Sequence, residues 1–340
     1  MYFDVVMPVA LFAVVILATL LIGRIEKRLK GIVEEKEFRT RDAILLVAMI
    51  SIAVSIIVVI PQYAIMAVFL FSYSTLLYMF SYVFSNVKKT SAQAFCAAFG
   101  LAAATAGIVG VIFRFSSWLM VYGAAAFFGL AAYAFILVIY EEEKPQTKER
   151  WYLGTLPPAL FIFLYLFYNG TPVWFPYLLD TYGLTFAVLI ILYLGTLFNW
   201  KNALIFAGLL TVMDIILVLF TGTMISAAKH VSGLGLPVLV SLPTIPLIAG
   251  TQGILYMSLG LGDFFFAGIL ATQTLKRFGK QTAIISTIAM CVSFAFYEAY
   301  LLNSTTFVGF PGTLMIITGW LPIIVYKAFQ KKTRQLIKKK

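Results

Sequence analysis

The amino-acid sequence predicts an all-α protein that crosses a membrane many times. Of its 340 residues, 62% are hydrophobic and only 11% are charged, and its mean hydropathy is +0.98. These values lie outside the range of soluble globular domains. Charges and turn residues divide the chain into eleven apolar runs, and about 20 apolar residues are enough for one helix to span a bilayer. We therefore predict about eleven transmembrane helices in a multi-pass integral protein of the cell (plasma) membrane, with the lipid bilayer around it.

The predicted helices follow one another through short connections. The longest polar connection, residues 23–42, has about twenty residues, which leaves no room for a soluble domain. In chain order the predicted helices are Val5–Ile22, Ala43–Ile60, Gln62–Phe84, Ala92–Phe113, Trp118–Ile139, Tyr152–Tyr168, Gly183–Asn199, Ala203–Phe220, Ile245–Leu275, Thr282–Leu302 and Phe310–Tyr326.

The basic residues predict the orientation of these helices. Twenty-three of the 25 Lys and Arg lie in alternate connections and in the C-terminal segment, and only Arg114 and Lys229 lie on the opposite side. Cytoplasmic connections carry such an excess of Lys and Arg. The N-terminus is therefore expected outside and the C-terminus in the cytoplasm. Because the net charge of +11 is explained in this way, no nucleic-acid partner is expected.

Cysteine and histidine usage gives no indication of a metal or another cofactor. Cys96 and Cys291 both fall within predicted helices, where cysteine acts as a small packing residue. The single histidine, His230, lies in an outer connection, and one histidine alone does not make a zinc site. We therefore expect no metal and no other cofactor.

Three acidic residues lie inside predicted helices: Asp214, Asp263 and Glu298. A charged side chain in hydrocarbon costs a few kcal/mol or more, so such residues indicate a functional site. Asp214 follows Lys201 by thirteen residues and Asp263 precedes Lys276 by thirteen. At 1.5 Å per residue, both carboxylates are expected roughly 20 Å from the cytoplasmic boundary. Glu298, near the outer end of its helix, is interpreted as a packing or interfacial residue.

Two facing carboxylates at one depth can share a proton, because both cannot readily ionise in a site of low dielectric. The anionic acid can take a proton from a water molecule that attacks a peptide carbonyl. The neutral acid can protonate the carbonyl oxygen. This is the chemistry of aspartic proteases, and it needs no metal.

Glycines and prolines surround the second acid. Gly260 and Gly262 flank Leu261 directly before Asp263, and glycine lets another backbone approach closely. The preceding outer connection contains LPVLVSLP, residues 236–243. This apolar segment, rich in residues typical of strands, is a candidate strand whose edge can accept an extended peptide.

The stretch SLGLGDFFFAG, residues 258–268, resembles the GxGD signature of the presenilin and signal peptide peptidase family of intramembrane aspartyl proteases. The resemblance covers about residues 203–326. It implies that Asp214 and Asp263 are the catalytic acids, and that Pro311-Gly312-Thr313-Leu314 takes the place of the family's Pro-Ala-Leu motif. The substrate-binding positions that it implies are Gly260, Leu261, Gly262, Pro311, Gly312, Thr313 and Leu314.

Three features depart from the family pattern. Met213 stands where the family has tyrosine, and Gly312-Thr313 replaces the usual second and third motif residues. The family core has nine helices, whereas eleven are expected here. We divide the chain into residues 1–200 with about seven helices, the catalytic region 201–326 and a basic cytoplasmic tail, 327–340.

The predicted orientation matches the signal peptide peptidases within this family. The implied substrates are single-pass transmembrane segments and remnant signal peptides. Two other functions remain open: a proton-coupled transporter or channel that uses the acids as a proton relay, and a membrane peptidase of the prepilin or preflagellin type. The sequence does not define the oligomeric state.

Overall fold

The computed structural model describes residues 2–29, 39–57, 59–112, 118–141, 150–250, 253–304 and 310–337. These residues contain twelve α-helices, of which ten are long and apolar enough to cross a membrane. The predicted class, an all-α multi-pass membrane protein, is confirmed. Part of the first basic connection, Arg114 and the last three lysines lie outside the described residues, and the orientation stays a prediction.

The chain forms two compact units, Met1–Ile60 with Asp180–Lys340, and Pro61–Leu179. The catalytic and tail regions expected from the sequence stay predictions of function. The helices of the first unit are α1 (Val6–Leu29), α2 (Thr40–Ile57), α7 (Leu179–Leu197), α8 (Trp200–Ile215), α9 (Thr223–Ser232), α10 (Leu261–Phe278), α11 (Lys280–Asn303) and α12 (Gly312–Ile337). Those of the second unit are α3 (Gln62–Val83), α4 (Lys89–Ile112), α5 (Trp118–Tyr140) and α6 (Leu156–Tyr168).

Three short helical turns of other types extend these helices. A 3-10 turn, Trp151–Thr155, leads into α6, and a π-helical turn, Trp174–Leu178, leads into α7. A second π-helical turn, Ile216–Phe220, continues α8 directly after the helix that carries Asp214.

The prediction of one helix over Ile245–Leu275 is wrong. The helix starts only at Leu261, and the preceding residues form the short strands β2 (Ala249–Gly250), β3 (Gly253–Ile254) and β4 (Tyr256–Gly260). Proline at 246 and glycines at 250, 253 and 260 disfavour a helix there. The candidate strand before this segment does form, as β1 (Leu239–Pro243), and it pairs with β4 in an antiparallel two-stranded sheet.

Helix α10 lies in the centre of the first unit. It packs against α1, α8, α11 and α12, and nearly all its residues from Phe264 to Thr274 are buried. Polar contacts fix its far end, because Gln273 donates its side-chain amide to the carbonyls of Gly195 and Phe198, at 3.3 and 2.7 Å. Trp320 of α12 donates its indole N–H to Thr274 at 3.0 Å. The helix that carries Asp263 is therefore held on several sides.

The second unit is built largely on close packing of α4 against α5. A Cβ at Gly107 would lie 3.1 Å from the Cβ of Ala124, so small residues let the two helices approach. Cys96 lies in the apolar cluster of this unit, and both it and Cys291 are free and buried. Their predicted role as packing residues agrees with these positions.

Candidate active site

Asp214 lies in the last turn of α8 with a buried side chain. Its Oδ2 accepts two hydrogen bonds from one residue, Thr313: one from the backbone N–H at 3.2 Å and one from the hydroxyl at 2.6 Å. Thr313 is the second residue of α12, where the backbone N–H groups have no partner within the helix. Asp214 therefore binds the N-terminal turn of a neighbouring helix.

Asp263 is the third residue of α10, and Gly260 is the N-cap of that helix. A Cβ placed on Gly260 would lie 3.3 Å from Asp263 Oδ2. The side chain of this third helical residue therefore reaches back to the capping residue, as in one half of a capping box. The N-terminal end of a helix also favours negative charge through its dipole. Asp263 is thus fixed at the junction of β4 and α10.

Gly312 lies directly against the Asp263 carboxylate. A Cβ placed on Gly312 would come within 2.8 Å of Asp263 Oδ2 and would overlap the rest of the carboxylate. No side chain can occupy this position unless the carboxylate moves. Because Thr313 binds Asp214, two consecutive residues of the Pro311–Leu314 segment contact the two acids.

The two acids lie near each other, because the consecutive residues Gly312 and Thr313 contact one acid each and the helices α8 and α10 pack together. Within the described part of the chain, neither carboxylate forms an ion pair. Among these residues, hydrogen-bond donors and helix N-termini, and no basic side chain, therefore stabilise the acids. Such a pair can hold a water molecule between one acid that accepts a proton and one that donates a proton.

The strand β4 leads straight into this site. Its antiparallel register with β1 pairs Leu239 with Gly260 and Ser241 with Ser258, and the N–H of Leu261 donates to the carbonyl of Val238 at 3.0 Å. The sheet therefore continues up to the first residue of α10. Among the described strands, β4 pairs only with β1, so alternate backbone groups of β4, including those of Ser258, point away from the sheet.

The structure brings together four of the site residues predicted from the sequence, since Gly312 lies against Asp263 and Thr313 binds Asp214. Gly260 also lies beside Asp263, and Leu261 and Gly262 separate these two residues in the chain. Pro311 and Leu314 flank the contacting pair of α12 residues, and Pro311 is buried. The catalytic and substrate-binding roles of these residues stay predictions.

Glu298 has another environment. It is buried in α11, its two carboxylate oxygens have no hydrogen-bond partner among the described residues, and its charged neighbour is Asp4. Two contacts were not predicted from the sequence: Asp180 accepts the backbone N–H of Ser241 in β1, and Asp4 accepts that of Ile245, two residues after β1. Both aspartates precede or begin an apolar run, and that position alone gives no sign of a contact with a strand.

Comparison of the chain with models of protein families, with curated proteins and with solved structures finds no match.

Proposed function

We propose that this chain is an intramembrane aspartyl protease, which hydrolyses peptide bonds within transmembrane helices and resembles the signal peptide peptidases in orientation. One observation carries the proposal. The first turn of α12 contacts both acids, Asp263 through Gly312 and Asp214 through Thr313. The two acids therefore lie next to two segments that carry the resemblance. These segments are residues 260–263, with the GxGD signature, and Pro311–Leu314.

The proposed reaction uses the two carboxyl groups in complementary roles. The anionic acid takes a proton from water while the water oxygen bonds to the peptide carbonyl carbon. The neutral acid gives its proton to the carbonyl oxygen, which forms a tetrahedral intermediate. After this addition each acid is in the state in which the other began. As the intermediate collapses, the C–N bond breaks, the acid that took the proton from water gives it to the amine nitrogen, and the other acid takes a proton from one hydroxyl of the intermediate. Both acids thereby return to their starting states.

A substrate helix must unwind before this reaction, because its peptide groups are hydrogen-bonded within the helix. The edge of β4 offers backbone donors and acceptors to an extended segment. A peptide paired there runs toward Gly260 and Asp263. We propose single-pass transmembrane segments and remnant signal peptides as substrates, bound by the residues of the signature and of Pro311–Leu314.

The proposed topology has eleven spans. Ten are the apolar helices already described, and the eleventh is α10, which carries Asp263 at its start and Lys276 and Arg277 at its end. The N-terminus lies outside and the C-terminus in the cytoplasm of the cell membrane.

The test is hydrolysis of a generic helical transmembrane peptide by the purified protein in detergent, with products identified by mass spectrometry. We expect cleavage that a transition-state-analogue inhibitor of aspartyl proteases blocks. Asp214→Asn and Asp263→Asn should each abolish cleavage, since one carboxyl group cannot serve as base and acid in the same step. Asp42→Asn is the matched control, because Asp42 lies in the first turn of another helix, α2, where its carboxylate accepts the N–H of Arg39. A wild-type protein that cleaves no peptide would favour the transporter or channel.

A further inference from the structure

We propose that Asp180 and Asp4 are positioning residues, which anchor the outer edge of β1 so that an extended substrate pairs with β4 in a fixed register relative to Asp263. This inference rests on the proposed protease function. It concerns the side of the sheet that lies opposite the proposed substrate.

Aspartate side chains bind the backbone N–H groups along the outer edge of β1 and just beyond its end. In the observed register, Val240 and Leu242 face β4 through their backbone groups, while Ser241 and Pro243 face away. The N–H of Ser241 donates to Asp180 Oδ1 at 2.7 Å. Pro243 has no N–H to donate. The N–H of Ile245, two residues further on, donates to Asp4 Oδ1 at 2.8 Å.

These contacts lie in a buried, closely packed interface. Asp180 and Asp4 are only 6% and 5% exposed. Asp180 lies in the first turn of α7, and Gly183, one turn later, lets that helix approach the strand, because a Cβ there would come 2.9 Å from Val240 Cγ2. The carbonyl of Ile245 accepts the N–H of Val5 at 3.2 Å. Helix α7 and the segment before α1 thus cover this edge.

Either edge of a two-stranded sheet can add a peptide, unless it is covered. A peptide on the outer edge of β1 would lie three strand spacings, about 14 Å, from a peptide on the outer edge of β4. Only β4 is continuous with Gly260 and Asp263. Anchoring β1 therefore keeps a peptide off the unproductive edge, and through the pairing of β1 with β4 it fixes the position of β4 relative to the acids.

Asp180 is the residue to test, because Asp4 also accepts the N–H groups of Val6 and Met7 and so caps α1. Asp180→Ala removes the acceptor for Ser241, whereas Asp180→Asn keeps an acceptor oxygen. Asp42→Ala is the matched control, since Asp42 accepts a backbone N–H at 2.9 Å at the start of another helix. The measurements are KM, kcat and the mass-spectrometric distribution of cleavage positions.

We expect Asp180→Ala to raise KM about 10-fold, the range of one hydrogen bond to a charged group, and to add cleavage positions one or two residues from the main one. Asp180→Asn and Asp42→Ala should keep the wild-type product pattern. A purely structural role would lower the yield of active protein without changing KM or the cleavage positions. That result for Asp180→Ala would overturn the inference.

Hydrogen exchange of the peptide that contains Ser241 tests the anchor independently of proteolysis. We expect slow exchange in the wild type and faster exchange in Asp180→Ala, with no change in Asp42→Ala. Equal exchange in the wild type and Asp180→Ala would overturn the anchor even if the protein cleaves peptides. If the wild type cleaves nothing, the proposed function fails, and slow wild-type exchange that Asp180→Ala accelerates still supports the anchor itself.

Discussion

Thr313 donates both its backbone N–H and its hydroxyl to the same oxygen of Asp214, at 3.2 and 2.6 Å. The two residues are 99 positions apart in the chain, so this contact joins α8 to the start of α12. It leaves the other oxygen of Asp214 available for a water molecule or a substrate. The threonine therefore orients one acid, while the preceding glycine makes room for the other.

Thr313→Val should lower kcat by about 10- to 100-fold, because a hydrogen bond to a charged group contributes about 1.5–3 kcal/mol. The variant keeps the shape and the backbone N–H but loses the hydroxyl. Thr313→Ser should retain most of the activity. Thr318→Val is the control on the same helix, since the Thr318 hydroxyl is exposed and binds the carbonyl of Leu314 at 2.9 Å. Steady-state cleavage assays check this, and equal rates for Thr313→Val and wild type would contradict it.

Gly312→Ala should lower the cleavage rate at least about 100-fold, since a displacement of about 1 Å at a catalytic group has an effect of that size. The new methyl group would overlap the Asp263 carboxylate. Gly208→Ala is the matched control on α8, because a Cβ at Gly208 meets no atom within 4 Å. Thermal unfolding should show both variants folded. An active Gly312→Ala enzyme would mean that this contact does not matter for catalysis.

Asp214→Asn and Asp263→Asn should leave the thermal stability unchanged or slightly higher. Each substitution replaces one member of a close pair of acids with no basic partner in the described chain, and two such acids resist ionising together at a site of low dielectric. Asp42→Asn, in the first turn of α2, should also be nearly neutral, because the amide oxygen can still accept the N–H of Arg39. Thermal melts in the same detergent provide the measurement. A decrease in Tm of more than about 5 °C for either acid would assign that acid a structural role.

Reporter fusions test the proposed topology. Fusions after Lys88 and after Lys340 should report the cytoplasm, and fusions near Thr171 and Ser232 should report the outside. The expectation follows from the location of 23 of the 25 Lys and Arg in alternate connections. A cytoplasmic signal at Ser232 would contradict both the topology and the substrate orientation derived from it.

Hydropathy alone was enough to predict the class of the protein and the position of most helices. It failed at Tyr256–Gly260, because a short apolar run has the same composition in a strand and in a buried helix. The start of α10 was also hidden, since its N-cap is Gly260 and not one of the polar residues that usually mark a helix start.

The two acids could be predicted because a charged residue stands out in an apolar run. In the structure, Asp214 and Lys201 lie on one helix, α8, and Asp263 and Lys276 lie on another, α10. The positions of Asp4 and Asp180 could not be interpreted in the same way. Each lies at the beginning of a helix, where an aspartate is ordinary, and its contact with β1 depends on tertiary packing that no local pattern encodes.

The contact of one turn of α12 with both acids has a consequence for inhibitor chemistry. If the acids hydrolyse peptides as proposed, a compound that wedges between this turn and α10 inactivates the enzyme without imitating a tetrahedral intermediate. It needs no hydroxyl group aimed at the carboxylates, since displacing Gly312 and Thr313 together removes the contacts of this turn with both acids. Such a compound would displace the first turn of α12 from α10 and would not displace the catalytic water. Its potency should therefore not depend on which peptide bond is being cut.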